Sequence, residues 1–136
     1  MSAAALAGTL LIVAAWRWLP PVACDSLGAA VLGRCDEAAR HYATLKRDLE
    51  ALRDLEEVHL TERWTYTHAA EDLGFIPSDG VEVSIAATGD GWTATATHAA
   101  LGEGRGCAIY WGRSHDYRPR LMGESDVDAG EIFCTR

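Results

Sequence analysis

Along this chain the spacing of hydrophobic residues changes from one period to another, and each period predicts an element. The stretch CDEAARHYATLKRDLEALRDLEEVHLTER, residues 35–63, predicts a long helix. Tyr42, Leu45, Leu49, Leu52 and Leu55 recur at steps of three and four and so share one stripe, while Lys46, Arg47, Asp48, Glu50, Arg53, Asp54 and Glu57 fall mainly elsewhere. One face packs and the rest is wet, so the acids Asp36, Glu50, Asp54, Glu56 and Glu57 are read as helix solvation. Asp36 with Arg40 and Arg53 with Glu57 are spaced for surface ion pairs, each worth about 0.2–0.5 kcal/mol.

Beyond residue 80 the period falls to two. Val81, Val83, Ile85 and Ala87 share one face of a strand, and Trp92, Ala94 and Ala96 share a face of the next against Thr93, Thr95 and Thr97. TGDG, residues 88–91, is the turn between them. CAIYWG, after a glycine-rich loop at 102–106, predicts a third strand, and GEIFC at 130–134 can supply a fourth. Between helix and sheet, WTYTHAAEDLGFIPSDG carries Gly74, Pro77, Asp79 and Gly80 and predicts an ordered crossing loop, with Trp64, Tyr66 and Phe75 plugging the helix onto the strands. An antiparallel meander with one apolar face is not stable alone, and the helix stripe is its available partner. The expected fold class is therefore α+β: a long amphipathic helix packed on a three- or four-stranded antiparallel meander.

The N-terminus reads differently. SAAALAGTLLIVAAW, residues 2–16, is uncharged and mostly apolar, but shorter than the roughly 20 residues that span a bilayer comfortably and without the basic start of a standard signal peptide. Trp16, Arg17 and Trp18 come directly after it, as interfacial anchors do, which favours an uncleaved anchor over residues 1–23. A cleaved signal ending before Cys24 is the rival. Pro20 and Pro21 break the first helix, and a short helical piece, LGAAVLG, can run from Asp25 or Ser26 to Gly33. Residues 24–136 then form the globular head with its long helix.

A net charge of −8 disfavours nucleic acid and anionic lipid surfaces as electrostatic partners, since counterion release needs clustered Lys and Arg. The four cysteines, Cys24, Cys35, Cys107 and Cys134, form no CxxC knuckle and are better read as disulfides, which places the chain in an oxidising compartment. Cys24 and Cys35 bracket the short helical piece; a bond between them and two free thiols both remain open.

Candidate chemistry is sparse. His98, Cys107, His115 and Asp116 are zinc-type ligands, yet their spacing belongs to no tight motif, so His98 is read as a strand end and His115 as a loop residue. His41, His59 and His68 have no HExxH arrangement, no serine sits in GxSxG, and no glycine loop precedes Lys-Ser or Lys-Thr. No enzyme, cofactor or metal is expected. Trp92, Tyr110 and Trp111 are expected in the core rather than on a ligand-stacking face.

Six strings in order, LKRDLEALRDLEE, RWTYT, LGFIPSDGVEVSI, GDGWTATATH, CAIYWG and EIFCT, give residues 40–136 a pattern that resembles type IV pilins and pilin-like pseudopilins. The resemblance implies a non-enzymatic subunit of a type IV pilus, pseudopilus or related envelope filament. It implies other pilin-like subunits as partners and a membrane-held N-terminal segment. The chain would lie in the cell envelope, anchored in the inner membrane with an extracytoplasmic head, or in an extracellular filament. It also implies a bond between Cys107 and Cys134, which stand where such proteins commonly close a loop at the end of the sheet. The N-terminus departs from that pattern: Gly8 is present, but no basic leader precedes it and AGTLLIVAAW contains no acid. The alternative is a membrane-tethered extracytoplasmic binding module that uses the same head, with the long 112–130 loop as a candidate contact.

Overall fold

The computed structural model describes residues 34–113, 121 and 128–135, with side chains from Glu37 onward. The apolar segment 1–23, Cys24, the side chain of Cys35, His115 and Asp116 lie outside the described residues. The chain divides into two compact units, Met1–Asp36 and Glu37–Arg136, and the sheet and all but the first turn of the helix belong to the second.

Helix α1 runs Arg34–Arg63. Four strands come after it, β1 (Val81–Thr88), β2 (Gly91–His98), β3 (Gly106–Gly112) and β4 (Phe133–Cys134), and they pair antiparallel in the order β1-β2-β3-β4. The architecture is α+β, with a sequential meander as the period-two stretches require. Gly89 and Asp90 make the two-residue turn between Thr88 and its register partner Gly91, where Thr88 Oγ1 donates to the Gly91 carbonyl at 3.1 Å. The fourth strand is only two residues long, shorter than GEIFC suggests, because its pairing with β3 is confined to Cys107↔Cys134 and Ala108↔Phe133.

The core forms from the helix stripe and one face of the sheet. Leu45, Leu49 and Leu52 are wholly buried with Trp92, Ala94, Ala96, Cys107 and Ile109, and Tyr42, Leu55, Val83 and Ile85 pack partly buried at its edge. Burial of such side chains stabilises by about 1.5–3 kcal/mol each. The second face of the central strands is also buried, at Thr93, Thr95, Ala108 and Tyr110, so β2 is not the one-sided strand its alternation suggests. Thr93 is accommodated there by donating its hydroxyl to the Ile109 carbonyl at 2.9 Å.

A disulfide and two hydrogen bonds of Thr135 close the far end of the sheet. Cys107 and Cys134, directly opposite in register, are joined by a disulfide. Beside them, Thr135 Oγ1 accepts the Gly106 N–H at 3.1 Å and lies 2.8 Å from the Tyr42 hydroxyl, which ties the last described residue to both β3 and α1.

Among the described residues no helix is long and apolar enough to cross a membrane. The expected Arg53–Glu57 pair is replaced by a contact of Arg53 with its neighbour Asp54, Nε to Oδ1 at 3.4 Å. Trp64 does not plug the helix onto the sheet. It is 86% exposed, because the residue that ends α1 turns left-handed, φ 61°, and its N–H caps the Leu60 carbonyl at 2.8 Å. Phe75 is buried as expected and Leu73 joins it.

Candidate functional site

The helix stripe carries more than leucines. Residues 45, 49, 52 and 56 are separated by steps of four, three and four, so Glu56 occupies the next inward position after Leu52. It is fully buried, and the reading of it as a solvated acid is corrected. Its Oε2 accepts the Thr67 N–H at 3.2 Å, while Oε1 is buried with no hydrogen-bond partner. Burial pushes the Glu56 carboxyl up to about 7, and the bond from Thr67 only partly offsets it. Near neutral pH the group is therefore divided between carboxylic acid and carboxylate.

Asp48 is the second acid drawn inward. Its two carboxylate oxygens accept the N–H and the hydroxyl of Ser78, both at 2.7 Å. Arg47 donates to the same Ser78 hydroxyl oxygen at 3.2 Å. The crossing loop, residues 64–80, is thus fastened to α1 at both ends, at Thr67 by Glu56 and at Ser78 by Asp48.

This fastening leaves an open cleft of about 440 Å3 where the C-terminal half of α1 meets the loop and the hairpin end of the sheet. Arg53, Asp54, Glu57 and Leu60 line it from the helix, Tyr66 from the loop, and the register partners Trp92 and Trp111 from β2 and β3. Trp92 is 2% exposed and belongs to the core, but Trp111 is 44% exposed, which corrects its expected place there. Register alone does not cover a side chain at the end of a strand. The Trp111 ring instead rests on Gly130, where a Cβ would run into its six-membered ring; Gly130 adopts φ 85° and donates its N–H to the Tyr110 carbonyl at 2.8 Å. Tyr66 is half-buried and hydrogen-bonded to Trp111. Burial raises the Tyr66 hydroxyl above its ordinary value, the charges of Glu56 and Glu57 raise it further, and the bond from Trp111 opposes them. Two acids, Asp54 and Glu57, and one cation, Arg53, thus face the cleft from the helix.

Other residues singled out from sequence are dispersed. His98 ends β2, as expected, and its Nδ1 accepts the Ala100 N–H at the start of a single 3-10 turn, Ala99–Leu101. Its ring stacks on His41 of α1 with centroids 3.9 Å apart, a contact that sequence spacing does not reveal. Cys107 is consumed by the disulfide and is not a ligand thiolate. Among the described residues no three His, Cys, Asp or Glu side chains come together as a metal site. Cys24 and Cys35 are not described as a pair. The burial of Glu56 has one signal in the sequence, its place at the stripe spacing. No family model, no curated protein and no solved structure matches this chain.

Proposed function

We propose that this chain is a non-enzymatic structural subunit of a type IV pilus, pseudopilus or related envelope filament, which assembles through its N-terminal segment. The observation that carries this reading is the arrangement of the head: a sequential four-stranded meander laid on the stripe of α1, with its last strand tied by Cys107–Cys134. That is the order of elements that pilin-like heads use, and the bond stands where the resemblance leads one to expect it. A disulfide also fits an extracytoplasmic location. The apolar residues 2–16 would hold the subunit in the inner membrane before assembly with other pilin-like subunits.

A second reading, a membrane-tethered binding module, is favoured by one observation, the aromatic and acidic cleft beside Tyr66 and Trp111. Fractionation of cells that make the full chain, a chain lacking residues 1–23, or the Glu57→Gln variant separates the two. The filament reading expects the deletion to release a folded head from the envelope and Glu57→Gln to leave assembly unchanged. Retention of the truncated chain in the envelope, with assembly lost in Glu57→Gln, would favour the binding module.

A further inference from the structure

We infer that the cleft between Tyr66 and Trp111 is a binding site for an arginine side chain presented by a partner protein. The inference is independent of the filament reading, because it rests on the head alone.

Three features converge on that chemistry. The first is a flat aromatic wall: the Trp111 indole, supported from behind by Gly130 and hydrogen-bonded to Tyr66, keeps 44% of its surface open. An exposed indole held in one orientation suits a planar cation, which is attracted to the ring face and stacks on it. The second is an uncommitted acid. Arg53 and Asp54 satisfy each other at 3.4 Å, whereas among the described residues the Glu57 carboxylate makes no hydrogen bond or ion pair. Arg53, Glu57 and Leu60 lie at helical steps of four and three, so Glu57 stands between two other cleft residues on one helix face.

The third feature is Glu56. It does not line the cleft, but it is next to Glu57 in the chain and its charge acts on the Tyr66 hydroxyl. Exposed Glu57, and Glu56 to the extent that it is ionised, both act on the Tyr66 hydroxyl. An anionic ligand would meet the Glu57 carboxylate unfavourably, and a neutral planar one would leave that carboxylate unused. A guanidinium uses both the ring and the carboxylate, and its fork matches a carboxylate with two parallel hydrogen bonds. The chain's net charge of −8 would steer a basic partner toward it.

The test is a titration of the isotope-labelled full chain with the peptide acetyl-Gly-Arg-Gly-amide, monitored at the Trp111 indole N–H resonance, which is identified by its loss in Trp111→Phe. The same peptide with citrulline in place of arginine removes the charge and keeps the shape. The expected result is a saturable shift with arginine that weakens with added salt, little shift with citrulline, and a loss of affinity of about fivefold in Glu57→Gln. Equal shifts with arginine and citrulline would overturn the inference, as would no shift with either. A shift with cellotriose and none with arginine would assign the cleft to carbohydrate and equally refute it. Glu57 is exposed and its carboxylate makes no hydrogen bond or ion pair among the described residues, so its substitution reads binding and not folding.

Discussion

Glu56 of the helix accepts the Thr67 backbone N–H at 3.2 Å, so a fully buried carboxyl group fastens the start of the crossing loop. The arrangement satisfies a loop amide that would otherwise be buried without a partner, at the cost of holding an ionisable group away from water. Its consequence is a pH dependence with a definite sign.

In the folded chain the Glu56 carboxyl is raised from 4.5 to about 7. Its contribution is fully present below 4.5 and is lost as pH rises through 7, because between those values the folded state holds the proton more tightly. The shift corresponds to about 3 kcal/mol at alkaline pH. The melting temperature of the wild type should therefore fall relative to Glu56→Gln between about pH 5 and pH 8.5, a difference that removes the histidine contributions common to both. Parallel curves for the two proteins would refute the assignment.

Asp48 and Asp54 look alike in sequence and differ in role. Asp48→Ala leaves the Ser78 N–H and hydroxyl without their acceptor and should cost about 2–3 kcal/mol in urea unfolding. Asp54→Ala removes only an exposed contact with Arg53 and should cost less than about 1 kcal/mol. Equal costs would mean that Ser78 is not held by Asp48.

Trp64 sits left-handed at the end of α1 and is 86% exposed. A β-carbon in that conformation costs roughly 1–2 kcal/mol, and glycine recovers most of it after its own larger loss of chain entropy. Trp64→Gly should thus stabilise the chain by about 0.5–1 kcal/mol, read as a higher melting temperature. A destabilised variant would show that the indole makes contacts its exposure does not suggest.

The Cys107–Cys134 bond closes the chain over a separation of 27 residues. Chain entropy gives it a stabilisation of about 3–4 kcal/mol. Reduction should lower the unfolding midpoint accordingly, and non-reducing peptide mapping should recover the two cysteines as one linked species. Free thiols at both positions in protein from its native compartment would contradict the structure.

Position along the helix, more than residue type, decided what was legible. Leu45, Leu49 and Leu52 announce a buried stripe, and Glu56 lies on the same stripe, yet its charge assigns it to solvent. What buries it is a partner 11 residues away, the Thr67 N–H, and a backbone amide leaves no mark in sequence. Asp48 is hidden for the same reason behind Ser78. The strands were readable because period two and the Gly89-Asp90 turn are local signals. The two aromatics misassigned to the interior, Trp64 and Trp111, both stand at the end of an element, where backbone conformation and neighbours from elsewhere in the chain decide exposure. The cleft needed the register of Trp92 opposite Trp111, which only the paired sheet supplies.

The filament reading is tested most directly by shearing the surface of cells that make the full chain, collecting the released filaments and probing them for this protein. A filament subunit is expected in the sheared fraction, and should be lost from that fraction when residues 1–23 are removed. Recovery of the full chain entirely in the soluble fraction, with none in sheared filaments or membranes, would contradict it.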